Sequence, residues 1–130
     1  FQPVDHSYHF SLTSHPAGDK AREEFGVSAN TPLVAVYNPE RFQKASLPEE
    51  YSFVSVNNPN VKITALKKCE DDNSLIIRMY NSSGNEEKVG LQMAVQPKAV
   101  IHTNLIEEEL EPVQEIVLGK YAIETYKVKF

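Results

Sequence analysis

Apolar and polar residues alternate with a period of two along most of this chain. Tyr8, Phe10 and Leu12 share one parity, with Ser7, His9 and Ser11 on the other. Val61, Ile63 and Ala65 alternate with Lys62 and Thr64, and Val89, Leu91, Met93 and Val95 alternate with Lys88, Gly90, Gln92 and Ala94. Successive side chains of a strand point to opposite faces, so this pattern predicts half-buried strands. Residues 33–37 and 75–80 are apolar on both parities, as in central strands covered on both faces. Segments 52–56, 99–103, 115–118 and 123–130 complete a set of about nine short strands.

Turn residues support this division. Asp71-Asp72-Asn73-Ser74 and Asn81-Ser82-Ser83-Gly84-Asn85 separate consecutive strand patterns and predict a meander from Val61 to Val95. Prolines 32, 39, 48, 59, 97 and 112 fall at strand borders, where a missing amide hydrogen does least harm. Only residues 17–25, with Asp19, Lys20, Arg22, Glu23 and Glu24, break the pattern, and they predict one short helix stopping near Gly26. The fold expected is all-β: an antiparallel β-sandwich of about nine short strands with at most one short helix, forming a single domain over residues 1–130.

Composition narrows the class. A length of 130 residues suits one core, and 41% apolar with 24% charged residues is ordinary for a soluble globular domain. The formal charge of −5 argues against a polyanionic partner such as nucleic acid. No run approaches the ~20 apolar residues of a membrane helix. Cys69 is the single cysteine, which excludes an intramolecular disulfide and suits a reducing compartment. Phe1 begins the chain without a visible targeting peptide, as expected of a fragment of a larger protein, and residues 126–130 alternate like a strand sewn into a sheet at the C-terminus.

Self-contained chemistry is hard to find. His6 and His9 lie on opposite parities of one segment and cannot share a metal, and His15 and His102 have no ligand-type neighbour at metal spacing. Glu70-Asp71-Asp72 lies at a turn, and Glu107-Glu108-Glu109 with Glu111 lies between strands, so both read as solvated loops. Neither resembles the pair of facing carboxyls, one with a raised pKa, that a glycosidase needs. Calcium-loop, nucleophile-elbow and phosphate-loop motifs are all missing from the sequence. Cys69 reads as a packed thiol, although Lys67-Lys68 precede it. Asn81-Ser82-Ser83 fits an N-glycosylation acceptor, which matters only in a secretory protein. No catalytic and no metal-ligating residue is assigned.

Arg78 is the one charged residue of the apolar segment 75–80, on the parity of Ile76 and Tyr80. A buried guanidinium needs an acceptor. Glu70 or Glu124 is the expected structural partner, and the alternative is a substrate-binding role in which Arg78 positions sugar hydroxyls or holds a cleft wall.

Several runs of residues resemble a known family. Asn60-Val61-Lys62-Ile63-Thr64-Ala65-Leu66-Lys67-Lys68, Glu70-Asp71 and Leu75-Ile76-Ile77-Arg78-Met79-Tyr80 resemble the "V-x-x-T-A-L-K-x-x-E-D … L-x-[VIL]-R-x-Y" run near the C-terminus of family 38 α-mannosidases. His6-Ser7-Tyr8-His9-Phe10-Ser11-Leu12 with His15 resembles the family's "H-x-F-x-[YF]-x-L-x-x-H" segment, with Ser11 in place of the usual aromatic. Thr103-Asn104-Leu105-Ile106-Glu107 resembles its "T-N-L-x-E" segment. The resemblance implies a non-catalytic C-terminal β-sandwich of an α-mannosidase, a retaining glycosidase acting on α-linked mannosides. It also implies partners in the N-terminal catalytic and helical domains of the same polypeptide, with zinc and an aspartate nucleophile in that catalytic domain and none in this chain. The bacterial members, which the chain resembles most, are generally cytoplasmic. The alternative is a freestanding carbohydrate-binding or fibronectin-like adhesion module. Against it, tryptophan is absent and the tyrosines mostly take core parity, leaving no evident aromatic platform.

Overall fold

The computed structural model describes residues 5–17, 19–37 and 46–130. The chain divides into two compact units, Phe1–Ser46 and Leu47–Phe130.

Among its described residues the first unit holds one helix, α1 (Asp19–Asn30). Helix-forming Ala21, Arg22, Glu23 and Glu24 start it, and an exposed i,i+4 pair joins Lys20 to Glu24 at 3.7 Å. It runs four residues past the expected stop at Gly26. Its last carbonyls are taken up further on: Asn30 Nδ2 donates to the Gly26 carbonyl at 2.7 Å, and the Thr31 amide and hydroxyl both donate to that of Val27. Two expected strands do not form. Residues 8–12 and 33–37 carry strand patterning, yet they join no ladder and their side chains are exposed. Alternation expresses a preference for pairing, and a strand exists only where a neighbour accepts its hydrogen bonds.

The second unit holds nine strands. They are β1 (Val54–Val56), β2 (Val61–Lys68), β3 (Leu75–Asn81), β4 (Glu87–Val89), β5 (Leu91–Met93), β6 (Ala99–Thr103), β7 (Glu109–Pro112), β8 (Ile116–Leu118) and β9 (Ile123–Lys129). Five form one sheet in the order β2-β3-β9-β6-β7, and β1-β5 and β4-β8 form two short ribbons. Every pairing is antiparallel. The inner face of the large sheet presents Val61, Ile77, Met79, Tyr126 and Val128, which cluster with Val89, Ile116 and Leu118 of the β4-β8 ribbon. Val54, Val56, Leu91 and Met93 of the β1-β5 ribbon pack against that cluster, which closes an all-β sandwich. Ile77, Met79, Leu118 and Val128 are fully enclosed, each contributing about 2 kcal/mol.

The expected meander is only partly present. β2 and β3 form its hairpin, but the second neighbour of β3 is β9. The expected 88–95 strand breaks at Gly90 into β4, which pairs with β8, and β5, which pairs with β1. The cause is local. Asn57 grips Gly90 twice, its Oδ1 accepting from the Gly90 amide at 2.7 Å and its backbone N–H donating to the Gly90 carbonyl at 3.1 Å. A Cβ at position 90 would lie 2.5 Å from Asn57 Nδ2, so only glycine admits this approach.

β7 arises from the acidic run, where the sequence predicts a solvated loop, because β6 pairs with it. Phe1, Phe25 and Phe42 lie in segments with no clear core parity, which predicts that they belong to an apolar surface meeting neighbouring domains; Phe25 is half-buried in α1, and Phe1 and Phe42 lie outside the described residues. The tyrosines also depart from expectation. Tyr8, Tyr37, Tyr51 and Tyr121 are exposed, and only Tyr126 lies in the core.

Candidate functional site

The outer face of the five-stranded sheet carries the densest chemistry of the second unit. Register builds it. Ile76 lies opposite Lys67 on β2 and Lys127 on β9, and Arg78 lies opposite Ala65 and Thr125. Thr125 in turn lies opposite Thr103, and Lys127 opposite Ile101. The buried Ile76 is therefore flanked by the alkyl stems of two lysines.

Those lysines are neutralised by the acids expected in solvated loops. Lys127 is only 5% exposed at its side chain, and its Nζ bridges Asp72 Oδ2 at 2.9 Å and Glu109 Oε1 at 3.1 Å. Lys129 reaches the same Glu109 Oε1 at 2.8 Å. Lys67 donates to Glu70 and lies 2.7 Å from Glu107 Oε1. The acidic runs thus supply counter-charges, and for Lys127, buried on this face against Ile76, pairing is obligatory. Hydrogen bonds from Lys127, and then from the Ser74 amide, hold the Asp72 carboxyl far below the usual range. Lys129 first and Lys127 second depress Glu109. Lys67, and then the Glu70 amide, depress Glu107. The lysines respond in the opposite sense: Glu107 and Glu70 push Lys67 up to about 12, and Asp72 with Glu109 raises Lys127 further.

Glu107 is placed by a tight loop over residues 104–108. Asn104 Oδ1 accepts from the amides of Ile106 and Glu108, and the Glu107 amide returns to the Asn104 carbonyl at 3.1 Å. Glu107 itself takes a φ of 71°, unusual for a residue with a Cβ, and this turns its carboxylate inward onto Lys67 and the Glu70 amide. Buried Cys69 closes the β2-β3 turn, its amide donating to the Ser74 carbonyl at 2.9 Å.

Arg78 sits further along this face, half-buried. Its Nε donates to Thr125 Oγ1 at 3.0 Å and its Nη2 to the Leu105 carbonyl at 3.0 Å. The expected acid partner is not there. Glu70 is turned to Lys67, and Glu124 lies on the opposite parity, where its Oε2 meets His102 Nε2 at 2.7 Å. Among the described residues Arg78 has only these two neutral acceptors. Lys62, opposite Tyr80 on the same face, likewise donates to a carbonyl, that of Pro59 at 2.9 Å.

Other residues singled out in the sequence do not converge here. His6, His9 and His15 are exposed in the first unit, and no group of three or more His, Cys, Asp or Glu able to hold a metal occurs among the described residues. No described helix is long and apolar enough to cross a membrane. Asn81 of the glycosylation motif is fully buried, and its Nδ2, the atom a glycan would need, donates to the carbonyls of Asn85, Leu118 and Gly119. Lys62, Thr125 and Lys127 were missed by sequence reasoning. The lysines alternating with Tyr126 and Val128 held a usable signal, since a lysine between core residues needs a counter-charge and the acidic run 107–111 offers one.

Among curated proteins no sequence matches this chain significantly. The profile of the glycosyl hydrolases family 38 C-terminal beta sandwich domain matches residues 60–126, just over half of the chain. That span runs from the start of β2 to the middle of β9 and contains Arg78, the 104–108 loop and most of the ion-paired face. The chain belongs to the family of the glycosyl hydrolases family 38 C-terminal beta sandwich domain.

Proposed function

We propose that this chain serves as the non-catalytic C-terminal β-sandwich of an α-mannosidase, a retaining enzyme acting on α-linked mannosides. In this reading it packs on the catalytic and helical regions of the same polypeptide and shapes their cleft. Family membership over residues 60–126 carries the proposal. The chemistry of the outer face supports a structural role. A glycosidase acid needs a raised pKa, whereas Asp72, Glu107 and Glu109 are all held ionised against lysines. The nucleophile and the zinc of the reaction belong to the catalytic region outside this chain. Arg78 is the residue we assign to the cleft side, as a contact for sugar hydroxyls or a support for the cleft wall. A cytoplasmic location agrees with the packing of Asn81, because a glycan on Nδ2 is incompatible with its three internal hydrogen bonds.

The test is hydrolysis of an aryl α-mannoside by the full-length protein, by the same protein lacking residues 47–130, and by this chain alone. Activity is expected only in the first, and release of mannose by the chain alone overturns the proposal. Within that assay, Arg78→Met raises KM if Arg78 serves the cleft, and unchanged kinetic constants remove it from substrate binding.

One observation favours the second reading, a carbohydrate-binding module. Tyr51 and Phe53 form an exposed edge-to-face pair with centroids 4.9 Å apart, an aromatic surface of the kind that stacks on sugar rings. Chemical-shift changes at Tyr51 and Phe53 on adding mannose or mannobiose to the chain alone would support it.

A further inference from the structure

The outer face of the large sheet is divided in charge. At one end Lys67, Lys127 and Lys129 are matched by Glu70, Glu107, Asp72 and Glu109. At the other end the cations have no such match: among the described residues Arg78 and Lys62 donate only to a hydroxyl and to carbonyls. Tyr80 lies between them, two residues from Arg78 on β3 and opposite Lys62 on β2. Aliphatic groups border this positive end. Leu105, whose carbonyl binds Arg78, is 65% exposed, Ile106 beside it is 73% exposed, and Ile123, opposite Tyr80 on β9, is 56% exposed.

The geometry points to this end of the sheet as a docking surface for an acidic polypeptide segment, one that sets an Asp or Glu side chain against Arg78 and Lys62 and apolar residues against Leu105, Ile106 and Ile123. Charge complementarity selects the acid. An arginine holding two neutral acceptors keeps further N–H donors for a carboxylate, and its planar fork suits one. The aliphatic rim selects a polypeptide, since a small anion leaves three exposed hydrophobic side chains uncovered, whereas an interface core joins such groups to arginine and tyrosine. This inference rests on the reading that the domain packs within a larger protein; it takes Arg78 as a support for the cleft wall rather than a contact for sugar, and it assigns the face and the chemistry of that packing.

Hydrogen exchange on the full-length protein and on this chain alone tests it. The Leu105 amide has no hydrogen bond among the described residues and the Ile106 amide bonds only to the Asn104 side chain, so both exchange fast in the chain alone. In the full-length protein both are expected to exchange roughly tenfold slower or more. Lys62→Glu and Ile106→Glu, placed at solvent-accessible side chains so that the fold is kept, are each expected to abolish that protection. Equal rates in the two wild-type proteins overturn the inference. Protection that survives Lys62→Glu overturns the acidic partner. Protection of the chain alone by inorganic phosphate, or by raising its own concentration, overturns it in favour of a small anion or a second copy. Mannosidase activity of the same preparations separates the two readings: protected amides without activity reject the mannosidase and keep this face, and activity without protection does the reverse.

Discussion

Lys127 Nζ lies 2.9 Å from Asp72 Oδ2, joining the last strand of the sandwich to the turn between β2 and β3. The lysine side chain is almost wholly buried, so its charge is tolerable only with that carboxylate and Glu109 in place. Removing one partner of such a pair leaves an uncompensated charge, whereas an apolar residue of similar volume removes the charge itself. Asp72→Ala is therefore expected to lower the unfolding midpoint more than Lys127→Met does. Thermal unfolding of the two variants checks the order, and the reverse order rejects a dominant role for charge pairing here.

The same network sets the pH range of stability. Asp72, Glu107 and Glu109 have folded-state values below their ordinary 3.8 and 4.5, so they contribute stability above those values and lose it as pH falls through the depressed ones. Lys67 and Lys127 are raised above the ordinary 10.5, so their contribution is complete below it and is lost as pH rises through the folded value, about 12 for Lys67. The unfolding midpoint should thus hold level between these limits and fall on both sides. A midpoint that stays flat from about pH 5 down to about pH 2 removes the carboxylates from the account.

Gly90 separates β4 from β5 because Asn57 occupies the space of a side chain there. Gly90→Ala forces the Asn57 side chain aside and breaks the bond from the Gly90 amide to its Oδ1, with an expected loss of about 2 kcal/mol. Asn57→Ser makes room for that methyl group, so the double variant should lose clearly less than the sum of the singles. Denaturant unfolding of the four proteins measures the coupling, and strict additivity excludes the contact as the cause of the break.

Asn81 ties the β3 end to the 85 and 118–119 turns through one side-chain amide. Asn81→Asp exchanges a donor for a buried charge facing carbonyl oxygens, and Asn81→Ala leaves those carbonyls unmatched. The alanine variant should lose about 2 kcal/mol and the aspartate variant more. Equal stability of wild type and Asn81→Ala would show that water replaces the amide at no cost.

The parts legible in the sequence are those set by neighbours in the chain. Parity separates Ile77 and Met79 from Ile76 and Arg78 in face, and alternation or apolar runs locate β2, β3, β6 and β9, because side-chain direction in a strand follows from two-residue spacing alone. The helix was legible for a similar reason, while its end was not, since Asn30 and Thr31 act through side-chain bonds that spacing does not reveal. The residue runs resembling family 38 lie mostly in the matched region, from β2 to the 104–108 loop.

Pairing across the sheet belongs to the tertiary structure. Nothing local shows that β3 takes β9 as its second neighbour, and that choice alone sets Thr125 rather than Glu124 opposite Arg78. Pairing of β6 with both β9 and β7 brings Lys127 and Lys129 within reach of Glu109, so a segment that reads as a solvated loop becomes β7 and a source of counter-charge. Residues 8–12, which alternate, and 33–37, which are apolar on both parities, show the same limit from the other side, since both carry strand patterning and still form no strand. A residue's preference is a property of its near neighbours, whereas its partner is fixed by whichever distant segment folding brings alongside, and ladder bonds and ion pairs both depend on the partner.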